Sequence, residues 1–176
     1  TGAGAAIVSK TGNVPFITHM TTGKIVDMGI KDANNMGAAM APAALDTLIT
    51  HFQDTDRNPS YYDAIITGDL GLTGSGMLRE LMDMHGYSLY DEKNNCFRHQ
   101  DCGAMIFDPI KQKTHSGGSG CGCIASVFAS YFYKQLQGGN LKRILVVGTG
   151  ALMSPISVKQ SESISGIAHA VAIEAQ

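Results

Sequence analysis

DAIITGDLGLTGSG, residues 63–76, decides the fold class. Asp63–Thr67 is a short apolar, β-branched run, which reads as a buried strand ended by Gly68 and Asp69. The glycine-rich bridge that follows, LGLTGSG, leads into a helix over Met77–His85. A buried strand handed to a helix through glycines is the repeating step of an α/β sheet.

The step recurs toward the carboxyl end. THSGGSGCGC, residues 114–123, runs into a helix from about Cys121 to Gln137, closed by Gly138-Gly139-Asn140. Ser126, Ser130 and Lys134 mark one face of that helix, and Val127, Phe128, Tyr131 and Leu136 supply its apolar contacts. Arg143–Val147 reads as a second buried strand, ending in GTGALMSP, and Gly166–Glu174 as the last strand. Between Tyr87 and Lys113 there is little periodicity, which predicts an irregular excursion.

Toward the amino end, Ala3–Ser9, Val14–Thr22 and Lys24–Ile30 read as strands. Met36–Phe52 is the clearest helix. Ala44, Leu45, Leu48, Ile49 and Phe52 fall at helical spacing, and Pro42 is expected in the first turn. The order is β-β-β-α-β-α-loop-α-β-β. In α/β sheets ligand sites gather at the strand carboxyl ends. Three loops qualify here: TGDLGLTGSG, HSGGSGCG and GTGALMSP.

A chain of 176 residues is one domain by length and can bury a real core. Hydrophobic residues make up 44% and charged residues 16%, a well-buried rather than a disordered composition. The net charge of −2 and the lack of a basic stripe argue against nucleic acid. No apolar run approaches the roughly 20 residues of a membrane span, and TGAGAAIVSK has no signal-peptide pattern, so any membrane contact is expected to be peripheral.

The cysteine-rich loop admits several chemistries. Cys96, Cys102, Cys121 and Cys123 are spaced C-x5-C and C-x-C, not as paired zinc knuckles, so no metal is expected on them. Cys121 or Cys123 at a helix start, with His115 nearby, has the placement of a nucleophile with a lowered pKa. Alternatively, the free amides of Gly117, Gly118, Ser119 and Gly120 face an anion. A sharp turn with no ligand needs the same glycines. Asp69, just after a strand, suits a general base, a ligand acceptor or a helix cap. His51 and His85 read as polar surface or helix-end residues, His169 as a satisfied core histidine, and Met36, Met40, Met77, Met82 and Met84 as packing.

The order of these three loops resembles the carboxyl-terminal half of the thiolase and ketosynthase superfamily. TGAGAAIVSK looks like the strand ending that family's first half. DAIITGDLG stands where the strand bearing its catalytic histidine lies, HSGGSG where ketosynthases have an H-G-N-T-S loop, and RILVVGTGAL where the next strand and its glycines follow. Within the superfamily, IVDMGIKDANNMGAAMAPAALDT, HQDCGAMIFDP, GGSGCGC and ESISGIAHAVAIE resemble a family of sporulation proteins.

The resemblance implies a mixed sheet packed with helices, spanning residues 1–176 as a half-domain whose amino-terminal half is absent. Half of a stacked fold would expose apolar surface, which self-association could cover. It also implies a function: binding dipicolinic acid, with or without calcium, for uptake during sporulation and release in germination, alongside other SpoVA proteins at the spore inner membrane. Departures from the enzymes point away from catalysis. Gly68 and Asp69 replace the histidine, and Gly117 or Gly118 replaces the loop asparagine, so neither usual oxyanion donor is present. The family's nucleophilic cysteine lies in the other half. The expected ligand residues are therefore Gly68, Asp69, Ser75, Gly117, Gly118, Ser119 and Gly120, with no catalytic residue, metal or cofactor. A condensing enzyme or acyltransferase with altered residues is the competing reading.

Overall fold

The computed structural model describes residues 2–118 and 120–175. Seven strands and six α-helical segments follow in chain order: β1 (Phe16–Thr22), α1 (Met36–Thr55), β2 (Ala64–Thr67), α2 (Gly71–Met84), β3 (Tyr90–Asp91), β4 (Cys96–Phe97), β5 (His99–Asp101), α3 (Cys102–Met105), α4 (Gly122–Val127), α5 (Tyr133–Gln137), β6 (Arg143–Ala151), α6 (Pro155–Lys159) and β7 (Gly166–Glu174). Five strands form one mixed sheet in the order β1-β7-β6-β2-β5. β2 pairs parallel with both β5 and β6, whereas β7 pairs antiparallel with β6 and β1.

The short run Ala64–Thr67 is buried on both sheet faces, as its composition predicts. Because side chains alternate along a strand, Ile65 enters one core and Ala64 and Ile66 the other. The first core joins Ile65, Leu145, Val147, Ala168, Ala170 and Ala172 to Met40, Ala44, Leu48 and Phe52 of α1 and Leu78 and Met82 of α2. The second packs Ile66, Ile144 and Ile173 under Cys123, Val127, Phe132 and Leu136. The mixed sheet carries helices on both faces, as expected from the sequence.

Several local expectations are corrected. α2 begins at Gly71, not at Met77, so the glycine-rich bridge is itself helical. Gly74 serves contact with α1: a Cβ on it would lie 2.8 Å from the Gly37 Cα, and one on Gly37 would run into the Leu70 carbonyl oxygen. Pro42 lies in the second turn of α1, not the first. Lys24–Ile30 forms no strand, only a bridge between Val26 and Gly166, and Ala3–Ser9 has no strand partner among the described residues.

The excursion after Tyr87 contains the small β3–β4 hairpin, β5 and α3. Between α4 and α5 lies a π-helical segment, Phe128–Phe132. Val127, Phe128 and Leu136 pack in or against the core as expected, but the wider π turn leaves Tyr131 exposed and buries Phe132 in its place. His51 is fully buried and His169 exposed, each opposite to expectation. Met40 and Met82 are core residues and Met36 and Met77 pack at its edge, but Met84 is largely exposed.

Candidate functional site

The parallel strands β2, β5 and β6 end on the same side, and their following loops meet there. The organising group is Asp101, the last residue of β5. It is buried and accepts four hydrogen bonds: from the Thr67 hydroxyl (2.7 Å), the amides of Leu70 and Gly71 (2.9 Å each) and the amide of Ala104 (3.0 Å). One carboxylate thereby caps α2 from outside its own segment and also starts α3. Burial pushes its carboxyl above the ordinary value, while the donated hydrogen bonds pull the other way.

Behind Asp101 lies a second layer. The Arg79 Nε–H faces His99 Nδ1 at 3.3 Å, which leaves the His99 Nε2–H to donate to Thr67 Oγ1 at 2.9 Å. Burial, with Arg79 alongside, lowers the His99 pKa to about 3, so this imidazole stays neutral and holds one tautomer.

Asp69 forms a second junction. Its Oδ2 accepts the Gly120 amide at 2.8 Å and its Oδ1 accepts the Thr149 hydroxyl at 3.0 Å, while its own amide donates to Thr149 Oγ1 at 3.3 Å. It caps no helix with its side chain, and both oxygens are engaged within the protein.

A cavity of about 670 Å³ opens beside these junctions, within the usual size range of small-molecule sites. Asp69, Gly117 and Gly118 line it, as do residues the sequence reading did not select: Asn35, Met36, Gly37, Thr114, His115 and Met153. Gly68, Ser75 and Gly120 do not line it. Gly68 is buried against Thr149, and Ser75 is buried within α2 with no partner for its hydroxyl among the described residues. Ser119 lies outside the described residues.

The expected row of ligand-facing glycine amides is corrected. The Gly117 amide donates to the Thr114 carbonyl, the Gly118 amide to the Gly103 carbonyl and the Gly120 amide to Asp69. The glycines are needed for close backbone contact instead: a Cβ on Gly117, where φ is +120°, would lie 2.5 Å from the Gly103 oxygen. A Cβ on Gly118 would point at Ile106 (2.8 Å) and Phe107 (3.1 Å), into packed side chains and not across a ligand path.

Donors without a partner among the described residues line other parts of the cavity. The Asn35 side chain accepts from the Ala38 amide, so the Met36 and Gly37 amides at the positive end of the twenty-residue α1 have no intrahelical partner. Thr114 Oγ1 is buried with no partner among the described residues. An Asn-Asn pair directly before a helical run was the available sequence signal for this wall.

The two buried thiols, Cys102 and Cys123, are poor nucleophiles. Burial pushes the Cys102 pKa to about 12, and burial together with Asp69 and Asp101 raises that of Cys123 against the effect of its helix start. Cys121 and Cys96 are exposed. Among the described residues no three His, Cys, Asp or Glu side chains cluster as a metal site would require. No described helix is long and apolar enough to cross a membrane.

Comparison with known proteins adds to this geometry. The sequence model of the stage V sporulation protein AD (SpoVAD) family matches residues 1–174. The chain is 45% identical over 174 residues to Stage V sporulation protein AD of Bacillus subtilis (strain 168), an alignment covering 99% of this chain and 49% of that protein. The chain thus spans about half the length of that relative. Among solved structures it is similar to a ketosynthase from Xenorhabdus doucetiae in complex with its chain length factor (TM-score 0.37, 11% identity, 92% of this chain and 79% of that one). It is also similar to 3-oxoacyl-[acyl-carrier-protein] synthase III from Aquifex aeolicus VF5 (TM-score 0.35, 11% identity, 93% of this chain and 54% of that one).

Proposed function

The chain belongs to the SpoVAD family of sporulation proteins, and from that premise we propose that it forms one wall of a non-catalytic pocket for dipicolinic acid, a planar aromatic dianion, within a thiolase-like protein. The observation that carries this reading is the strand-end cavity with the Met36 and Gly37 amides on its rim. A carboxylate placed there meets free N–H groups at the positive end of a long helix. The Thr114 hydroxyl supplies a further donor without a partner of its own. Burial disfavours the thiolates of Cys102 and Cys123, so neither suits the role of an acyl-transfer nucleophile within this chain.

In this reading the protein handles dipicolinate, alone or with calcium, during uptake into the forespore and release in germination. It acts with other SpoVA proteins, peripherally at the spore inner membrane. The remaining pocket wall comes from the other half of the full-length protein.

The test is equilibrium binding of radiolabelled dipicolinate to the full-length protein and to Thr114→Val, which keeps the shape and removes the hydroxyl. The variant is expected to bind about tenfold more weakly, about 1.4 kcal/mol. Absence of saturable dipicolinate binding by the parent protein refutes the function, and unchanged affinity in Thr114→Val refutes this placement of the ligand.

A further inference from the structure

Asp69 lies just after β2, a position from which a side chain would be expected to reach a ligand, yet its hydrogen bonds run elsewhere. Gly120 lies just before α4, and Thr149 lies near the end of β6. A single carboxylate therefore joins two loops, the one after β2 and the one before α4, to the end of β6. Thr149 is held on both sides, donating to Asp69 Oδ1 and accepting from the Asp69 amide. The loop so anchored includes Gly117 and Gly118 of the cavity wall, and the Gly118 amide is tied to Gly103 beside Asp101.

We propose that Asp69 is a positioning residue: its carboxylate clasps the 114–120 loop to the end of β6 and so fixes the shape of the cavity, without itself contacting the ligand. The inference rests on the pocket reading above, and it deepens that reading by removing Asp69 from the ligand contacts. Two donated hydrogen bonds neutralise part of the carboxylate charge locally, which reduces the repulsion that an acidic side chain would otherwise present to an anionic ligand. The clasp makes a specific demand on chemistry. It needs one acceptor for the Gly120 amide and one hydrogen-bonding partner for Thr149. Asparagine meets both demands, because its Oδ1 accepts from Gly120 and its Nδ2 donates to Thr149 Oγ1 once that hydroxyl turns. Alanine meets neither.

The experiment compares Asp69→Ala, Asp69→Asn and Thr149→Val in the full-length protein, by hydrogen exchange at the Gly120 amide and by binding of radiolabelled dipicolinate. Asp69→Ala should raise exchange at Gly120 at least tenfold and weaken binding at least tenfold, and Asp69→Asn should recover most of both. Thr149→Val, which removes one bond of the clasp and carries the test if Asp69→Ala fails to fold, should show a smaller change in the same direction. Loss of binding in Asp69→Asn as severe as in Asp69→Ala, with Gly120 exchange restored, overturns the proposal and makes the charge itself a ligand contact. Unchanged Gly120 exchange in Asp69→Ala also overturns it. The exchange arm needs no ligand, so a parent protein that fails to bind dipicolinate refutes the proposed function while the clasp is still decided.

Discussion

Replacing Asp101 with alanine tests whether one carboxylate organises the strand-end loops. The substitution removes the acceptor for four donors. Leu70 and Gly71 are buried, so their amides are left with no route to water, and the Thr67 hydroxyl is enclosed with them. The Ala104 amide is only half-buried and regains solvent more readily. Stranding a buried donor costs about 1–3 kcal/mol. Two stranded amides and part of the hydroxyl term give an expected loss of about 4 kcal/mol, a large share of the stability of an ordinary domain. Asp101→Asn separates charge from shape. Its Oδ1 retains Gly71 and Ala104, but its Nδ2 confronts the Leu70 amide donor to donor, so about 2 kcal/mol should be lost. The assay is urea unfolding followed by circular dichroism, with the midpoint shifting and the slope unchanged. A loss below about 1 kcal/mol for Asp101→Ala would show that these amides find other partners, and the account of α2 as a helix capped from β5 would fail.

Two further outcomes follow from packing and titration. Gly74→Ala should lower stability by about 1–3 kcal/mol despite the better helix propensity of alanine, because the new Cβ meets Gly37 backbone at 2.8 Å; thermal unfolding checks this, and a stabilised variant would mean that α1 and α2 part without cost. Burial, with Arg57 alongside, lowers the pKa of His51 to about 4, so the unfolded chain takes up a proton near pH 6.5 that the folded chain resists until about pH 4. Stability from this group is full above pH 6.5 and should decline by about 3 kcal/mol as the pH falls to 4. In His51→Gln that part of the acid-induced loss should disappear from denaturation curves recorded across the interval, and an unchanged pH dependence would refute it.

The fold was legible where a segment's own composition determined its state. Ala64–Thr67 and Arg143–Val147 have enough apolar, β-branched side chains to be strands buried on both faces, and the α1 stripe from Ala44 to Phe52 has one helical face to bury. Legibility failed where the deciding partner was distant in sequence. Residues 71–76 carry three glycines, which read as a loop because glycine disfavours an isolated helix. Their helix exists because Asp101, thirty residues on, caps its start, and because Gly37 of another helix needs the space that Gly74 leaves. The apolar segment Lys24–Ile30 has a strand's composition but forms only one bridge, so its pattern lacked the neighbour that would complete it.

The same distinction explains the site. The three loops were legible as places where a ligand site could gather, since glycines after buried strands mark the carboxyl ends of an α/β sheet. The sequence reading took the glycine amides for free donors, whereas those of Gly117, Gly118 and Gly120 are engaged within the protein. A glycine allows a backbone to approach something closely, but its letter does not say whether that neighbour is a ligand or another backbone. At Gly117 and Gly118 the neighbour is Gly103 and the residues after it, and the amides are spent in holding the two loops together. Unspent amides occur where a helix begins without a side chain for every donor, as at Met36 and Gly37, where Asn35 serves only Ala38. In the proposed pocket the start of α1 supplies the donors and the glycine loop acts as rigid backing. The carboxylates of Asp69, which lines the cavity, and Asp101, which does not, are each satisfied by amides and hydroxyls of the fold. In that proposed pocket an anionic ligand would meet less repulsion from these two acidic side chains, because each carboxylate interacts chiefly with donors already held by the fold.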